Sequence, residues 1–71
     1  MNSARPTLVD TSPFAGMREF VCDGRAFRCE RARAGLWLVY LQRSGSYVYD
    51  VSVVCESGTC DDLFRAWSDA Q

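Results

Sequence analysis

The sequence predicts an α+β fold: an antiparallel sheet of four to five strands, made from two β-hairpins and packed against one C-terminal α-helix. Three observations predict it. Residues 35–54, GLWLVYLQRSGSYVYDVSVV, are dense in β-branched and aromatic residues and are divided by the polar break Arg43-Ser44-Gly45-Ser46. Residues 17–31 place Asp23-Gly24, a type I′ turn signal, between the runs REFVC and RAFRCE. Near the C-terminus, Cys60, Leu63, Phe64 and Trp67 recur at i, i+3, i+4 and i+7, which is one stripe of a helix.

The 71 residues form one small domain, too short for a large core. Residues 1–16 hold both prolines, which break regular structure. They read as a partly extended arm, with Thr7-Leu8-Val9 available as an edge strand and Leu8, Val9 and Phe14 expected to cover part of the sheet.

Turning the chain at Asp23-Gly24 pairs Cys22 with Arg25, Phe20 with Phe27 and Arg18 with Cys29. Side chains alternate along a strand, so Phe20, Cys22, Phe27 and Cys29 share the core face. Glu19 and Arg28 then oppose each other on the outer face, as a favourable charge pair.

In the second hairpin, a turn at Ser44-Gly45 puts Leu36, Leu38, Tyr40 and Gln42 on one face with Val53, Val51, Tyr49 and Tyr47. That face is expected to be core. The opposite face carries Trp37, Val39, Leu41 and Arg43 with Ser52, Asp50, Val48 and Ser46, and is unusually apolar for a solvent face. A one-residue slip exchanges the two faces.

Residues 55–59 form a turn, and the helix is expected over residues 60–70. Thr59 is its N-cap, with Asp61 and Asp62 in the first turn where negative charge suits the helix dipole. The expected core is Phe20, Cys22, Phe27, Cys29, Leu38, Tyr40, Val51, Val53, Leu63, Phe64 and Trp67.

The net charge of −1 gives no general attraction to nucleic acid or anionic membrane. There is no histidine, which removes the commonest general base and metal ligand. No carboxylate pair has an acid–base spacing, so no catalytic residue is assigned and no cofactor is expected. The N-terminal region lacks the apolar run of a secretory signal, and no window is long enough to span a membrane, so a cytoplasmic location is expected.

The four cysteines, Cys22, Cys29, Cys55 and Cys60, fit a role as small, reduced core residues. A disulfide framework and a zinc site are the alternatives. Only the Cys55–Cys60 spacing approaches that of a zinc knuckle.

All eight basic residues are arginine, and Arg25, Arg28, Arg31 and Arg33 fall close together. They read either as a solvated face ion-paired to Glu19, Glu30 and the helix acids, or as a basic edge that grips phosphate or an acidic protein. Trp37, Val39 and Leu41 are surplus apolar surface, which needs cover from the arm, the helix or another chain. Trp37 would be the apolar anchor of a docking surface if its face were open. A homodimer hiding that face is a further option.

Gly35-Leu36-Trp37-Leu38-Val39-Tyr40, followed by the polar turn and an aromatic strand, resembles the terminal hairpin of small type I anti-CRISPR proteins of bacteriophages and mobile elements. Here, by contrast, a helix follows that hairpin. The resemblance covers about six residues closely and carries no functional residue across. It implies a non-catalytic inhibitor that docks on a CRISPR–Cas effector complex, or a similar nucleic-acid-processing complex, and blocks nucleic-acid binding.

The binding residues expected on these grounds are Arg25, Arg28, Arg31, Arg33 and Trp37. The alternatives are a small nucleic-acid-binding domain using the same arginines, and a disulfide- or zinc-stabilised interaction module.

Overall fold

The computed structural model describes residues 7–10 and 16–71. Five strands, β1 (Thr7–Asp10), β2 (Met17–Cys22), β3 (Arg25–Arg33), β4 (Leu36–Arg43) and β5 (Ser46–Val54), precede one helix, α1 (Cys60–Asp69). The strands form a single antiparallel sheet in the order β1-β2-β3-β4-β5, so each pairs with its neighbour in the chain. The α+β class is the one expected, and β1 supplies the fifth strand. The predicted cover by Leu8, Val9 and Phe14 rests on side chains outside the described residues.

The first hairpin has the expected register, with Cys22 opposite Arg25, Phe20 opposite Phe27 and Arg18 opposite Cys29. Asp23 and Gly24 both take positive φ (57° and 75°), as a type I′ turn requires. Ser44 and Gly45 repeat the device between β4 and β5, at φ 52° and 81°.

The second hairpin departs from the expected pairing partway along. From the turn, Arg43 pairs with Ser46, Gln42 with Tyr47, Leu41 with Val48 and Tyr40 with Tyr49, as predicted. The next pair is Val39 with Val51, which leaves Asp50 as the extra residue of a β-bulge. Beyond it Val51 and Val53 lie opposite Val39 and Trp37, not Leu38 and Leu36.

The expected faces of β4 are therefore exchanged. Trp37, Val39 and Leu41 are buried with Val53, whereas Leu38 and Tyr40 lie on the outer face, half-buried. The proposed exposure of Trp37 is overturned: it is only 3% exposed, and its Nε1–H donates to the Cys55 carbonyl at 3.1 Å.

Helix α1 begins as expected. The Thr59 side chain accepts from the Asp62 N–H at 3.2 Å, and Asp61 and Asp62 occupy the first turn. Leu63 and Trp67 reach the core, with Cys60, Phe64 and Ala66 packed at its margin. Phe27 is the hub of the ring packing. It stacks on Phe20 at 5.0 Å between centroids and meets the edges of Phe64 and Trp67 at 5.7 and 4.9 Å. The Trp67 Nε1–H donates to the Asp50 carboxylate at 2.8 Å, so the bulge residue also holds the helix.

Two substitutions test this packing. In Gly58→Ala, the residue keeps a positive φ (68°) and its Cβ falls 2.7 Å from the Trp37 ring. The combined strain and overlap should cost about 2–4 kcal/mol in urea unfolding. Asp50→Ala leaves the Trp67 indole without its acceptor and should cost about 1–3 kcal/mol, with Asp50→Asn recovering much of that loss.

Candidate functional site

The α1 side of the sheet is filled by the core, which leaves the opposite face as the candidate surface. The inward packing of Trp37, Val39 and Leu41 fixes what β4 presents there. Leu36, Leu38 and Tyr40 alternate with the core residues and are half-buried. From β5, Tyr47 and Tyr49 join the same face. Tyr49, 52% exposed, meets Tyr40 edge-on at 5.9 Å. Its hydroxyl is 2.8 Å from the Ser52 hydroxyl across the bulge. The surface is thus an aliphatic and tyrosine patch over β4 and β5.

Arg28 borders this patch from β3. Its guanidinium bonds Glu30 at 3.1 Å, approaches Glu19 at 3.5 Å, and lies 5.9 Å from the centre of the Tyr47 ring. The expected Glu19–Arg28 pair is therefore present, extended by Glu30 and Tyr47. Burial pushes the Tyr47 phenol above its ordinary pKa; the nearby Glu19 carboxylate adds to the rise and Arg28 opposes it.

The four candidate arginines do not form a basic edge. They lie on β3, which is the central strand of the sheet. Alternation sends them to different sides. The Arg25 guanidinium lies over the Trp67 ring at 5.7 Å, on the α1 side, whereas Arg28 belongs to the outer face. Arg31 pairs with Trp37 and its N–H donates to the Gly16 carbonyl at 2.8 Å, while Arg33 lies past a second bulge opposite Leu36. At an ordinary strand rise, Arg25 and Arg33 are about 26 Å apart, well beyond a Debye length in physiological salt. Of the five expected binding residues, Arg28 and Arg33 stand beside the candidate surface, Arg28 next to Tyr47 and Arg33 opposite Leu36, whereas Arg25, Arg31 and Trp37 lie on the α1 side.

The cysteines are free thiols, with Cys22, Cys29 and Cys55 in the core and Cys60 half-buried. Burial pushes the Cys29 thiol up to about 12, and proximity of Cys60 and Cys55 adds to the effect. Burial raises Cys60 too, although Arg18 opposes it. The Cys29 and Cys60 thiols are thus made less nucleophilic by their surroundings. Among the described residues, no group of three or more His, Cys, Asp or Glu side chains is placed to hold a metal ion. No described helix is long and apolar enough to cross a membrane.

Sequence reasoning missed Leu38, Tyr40 and Tyr49 as surface residues. The only local signal was Asp50, an acidic residue set between apolar ones within a strand. Compared with family models, curated proteins and solved structures, the chain matches none.

The raised thiols make stability depend on alkaline pH. The folded chain keeps the Cys29 proton to about 12, whereas an ordinary cysteine releases it near 9.0. The stabilisation is complete below the unfolded value and is lost as pH rises toward the folded one. Urea unfolding should therefore be insensitive to this group up to pH 8. Above 9, stability should fall with a slope of up to about 1.4 kcal/mol per pH unit. Tyr47 and Cys60 act in the same direction. A Cys29→Ala variant should show a shallower fall in the same titration.

Proposed function

We propose that this chain is a non-catalytic binding protein that docks on a larger protein through the tyrosine and leucine face of β4 and β5. One observation carries the reading: Leu36, Leu38, Tyr40, Tyr47 and Tyr49 gather on the sheet face away from α1. Aromatic residues that are rigid and amphipathic supply binding energy with little loss of side-chain freedom. The absence of histidine and the raised thiols favour binding over catalysis.

The candidate partner comes from the resemblance of the β4–β5 hairpin to type I anti-CRISPR proteins. On that reading the chain is a phage-type inhibitor, and its target is a CRISPR effector complex or a similar nucleic-acid-processing assembly. Occupying a protein surface there would block nucleic-acid binding. Direct nucleic-acid binding by the arginines is the weaker reading. Arg28 is engaged by Glu19 and Glu30, and Arg25, Arg31 and Arg33 are spread over both sides of the sheet.

The test is binding to a purified, nuclease-treated type I effector complex. Variants would be shown to be folded by circular dichroism. Replacing Leu38 and Tyr49 together by Glu should weaken binding by about a hundredfold, a loss of the size expected for a central anchor pair. Changing Arg25 and Arg31, which lie on the α1 side, to Glu should alter affinity much less. Retention that disappears with nuclease, falls steeply with salt and depends on the arginines would establish the nucleic-acid reading instead. A concentration-dependent dimer that is abolished by the Leu38 and Tyr49 changes would assign the face to self-association.

A further inference from the structure

We propose that the free edge of β5 accepts an extended peptide segment in which basic and apolar side chains alternate, adding a sixth strand to the sheet. This edge adjoins the tyrosine face but offers unpaired backbone and charge in place of aromatic surface, and it does not require that face to bind the same partner.

The backbone supplies the first part of the argument. β5 is the last strand in the sheet order, and among the described residues it pairs only with β4. The Cys55 N–H donates to the Gly35 carbonyl at 2.8 Å, which sets the phase of the ladder after the bulge. Alternation then turns the N–H and carbonyl groups of Ser52 and Val54 away from β4, toward the open edge.

Edge strands are normally guarded by lysine, proline, inward charge or a bulge. β5 contains no lysine, arginine or proline, and its single charged residue is Asp50. The bulge lies before Val51, so the stretch from Val51 to Val54 follows one uninterrupted register. Val54 is 72% exposed at this edge.

The surroundings define the partner's chemistry. Two open grooves of about 400 Å³ each run between β5 and α1, with Ser52, Val54, Ala66 and Asp69 among their walls. Glu56 and Asp62 add two further carboxylates, against a single cation, Arg65. Among the described residues none of these three acids forms an ion pair; Asp62 accepts a hydrogen bond from Ser57 at 2.5 Å.

An added strand would send alternate side chains to opposite faces. Those on the α1 side would meet Glu56, Asp62 and Asp69, which favours arginine or lysine. Those on the other side would extend the surface of Tyr49 and Leu38, which favours apolar residues. A second copy of this chain fits less well. Two-fold pairing of β5 with itself would bring both sets of helix acids to the same side of the joined sheet, and β5 has no cation to offset them.

The experiment uses the whole chain, labelled with ¹⁵N, and capped octapeptides of alternating Arg-Val or alternating Glu-Val. The Arg-Val peptide should bind at least about tenfold more tightly than the Glu-Val peptide, with salt-sensitive affinity, and should slow hydrogen exchange at the Ser52 and Val54 amides. N-methylation of alternate peptide nitrogens, tried in both phases, should abolish binding in one phase. Asp62→Asn with Asp69→Asn should weaken the Arg-Val complex while leaving the free spectrum folded. Equal affinity for both peptides would overturn the proposal. So would absence of binding, perturbation confined to the tyrosine face, or a β5-mediated homodimer in light scattering.

Discussion

The structure depends on the one extra residue that β5 carries at Asp50. Before it, the β4–β5 hairpin pairs in the register its two-residue turn dictates; after it, every side chain of β5 changes its partner. Because side chains alternate strictly along a strand, this insertion brings Val51 and Val53 under α1 with Trp37 and Val39. The same residue then accepts the indole N–H of Trp67. One carboxylate thus stands where the strand changes phase and where the helix is anchored. The two roles support each other, since the bulge turns Asp50 toward the helix that needs an acceptor.

The distribution of surface chemistry follows from that choice. With Trp37 closed over by Gly58 and bonded to the Cys55 carbonyl, the apolar surplus of β4 is spent inside. Leu36, Leu38 and Tyr40 are left outside, joined by the tyrosines of β5. Arg28, Glu19 and Glu30 border them as a largely self-compensated group. A partner meeting this face would encounter rigid aromatic surface with a polar margin, while one meeting the β5 edge would encounter unpaired backbone beside carboxylates. The two surfaces would select on different grounds, shape and desolvation in one case, strand geometry and charge in the other.

Much of the fold was legible from local signals. Asp23-Gly24 determines the first hairpin without ambiguity, because no bulge intervenes between that turn and Arg18. Thr59, Asp61 and the Leu63–Trp67 spacing mark the helix equally well. The second hairpin was misread because Leu36, Leu38 and Tyr40 are as apolar as Trp37, Val39 and Leu41. Pattern alone does not rank the two faces, and the bulge that decides between them is stabilised by Trp67, seventeen residues away in sequence. The arginines were misread for another reason. Whether β3 has an open edge depends on the strands flanking it, and with β2 and β4 both paired to it there is none. The candidate site was therefore less legible than the fold, since it is what remains after the core has chosen its side.

The strictly sequential order of the strands has a consequence for how the chain folds. Each strand finds its partner next to it in sequence, so the sheet assembles from short-range closures with little loop entropy. Its cover does not: Leu63 and Trp67 come after all five strands. Until α1 docks, the paired sheet presents Phe20, Phe27 and Trp37 on a bare face. The vulnerable interval in folding is thus between the closing of β5 and the docking of α1. Contact between chains through that bare face during the interval would lower the share that reaches the native state.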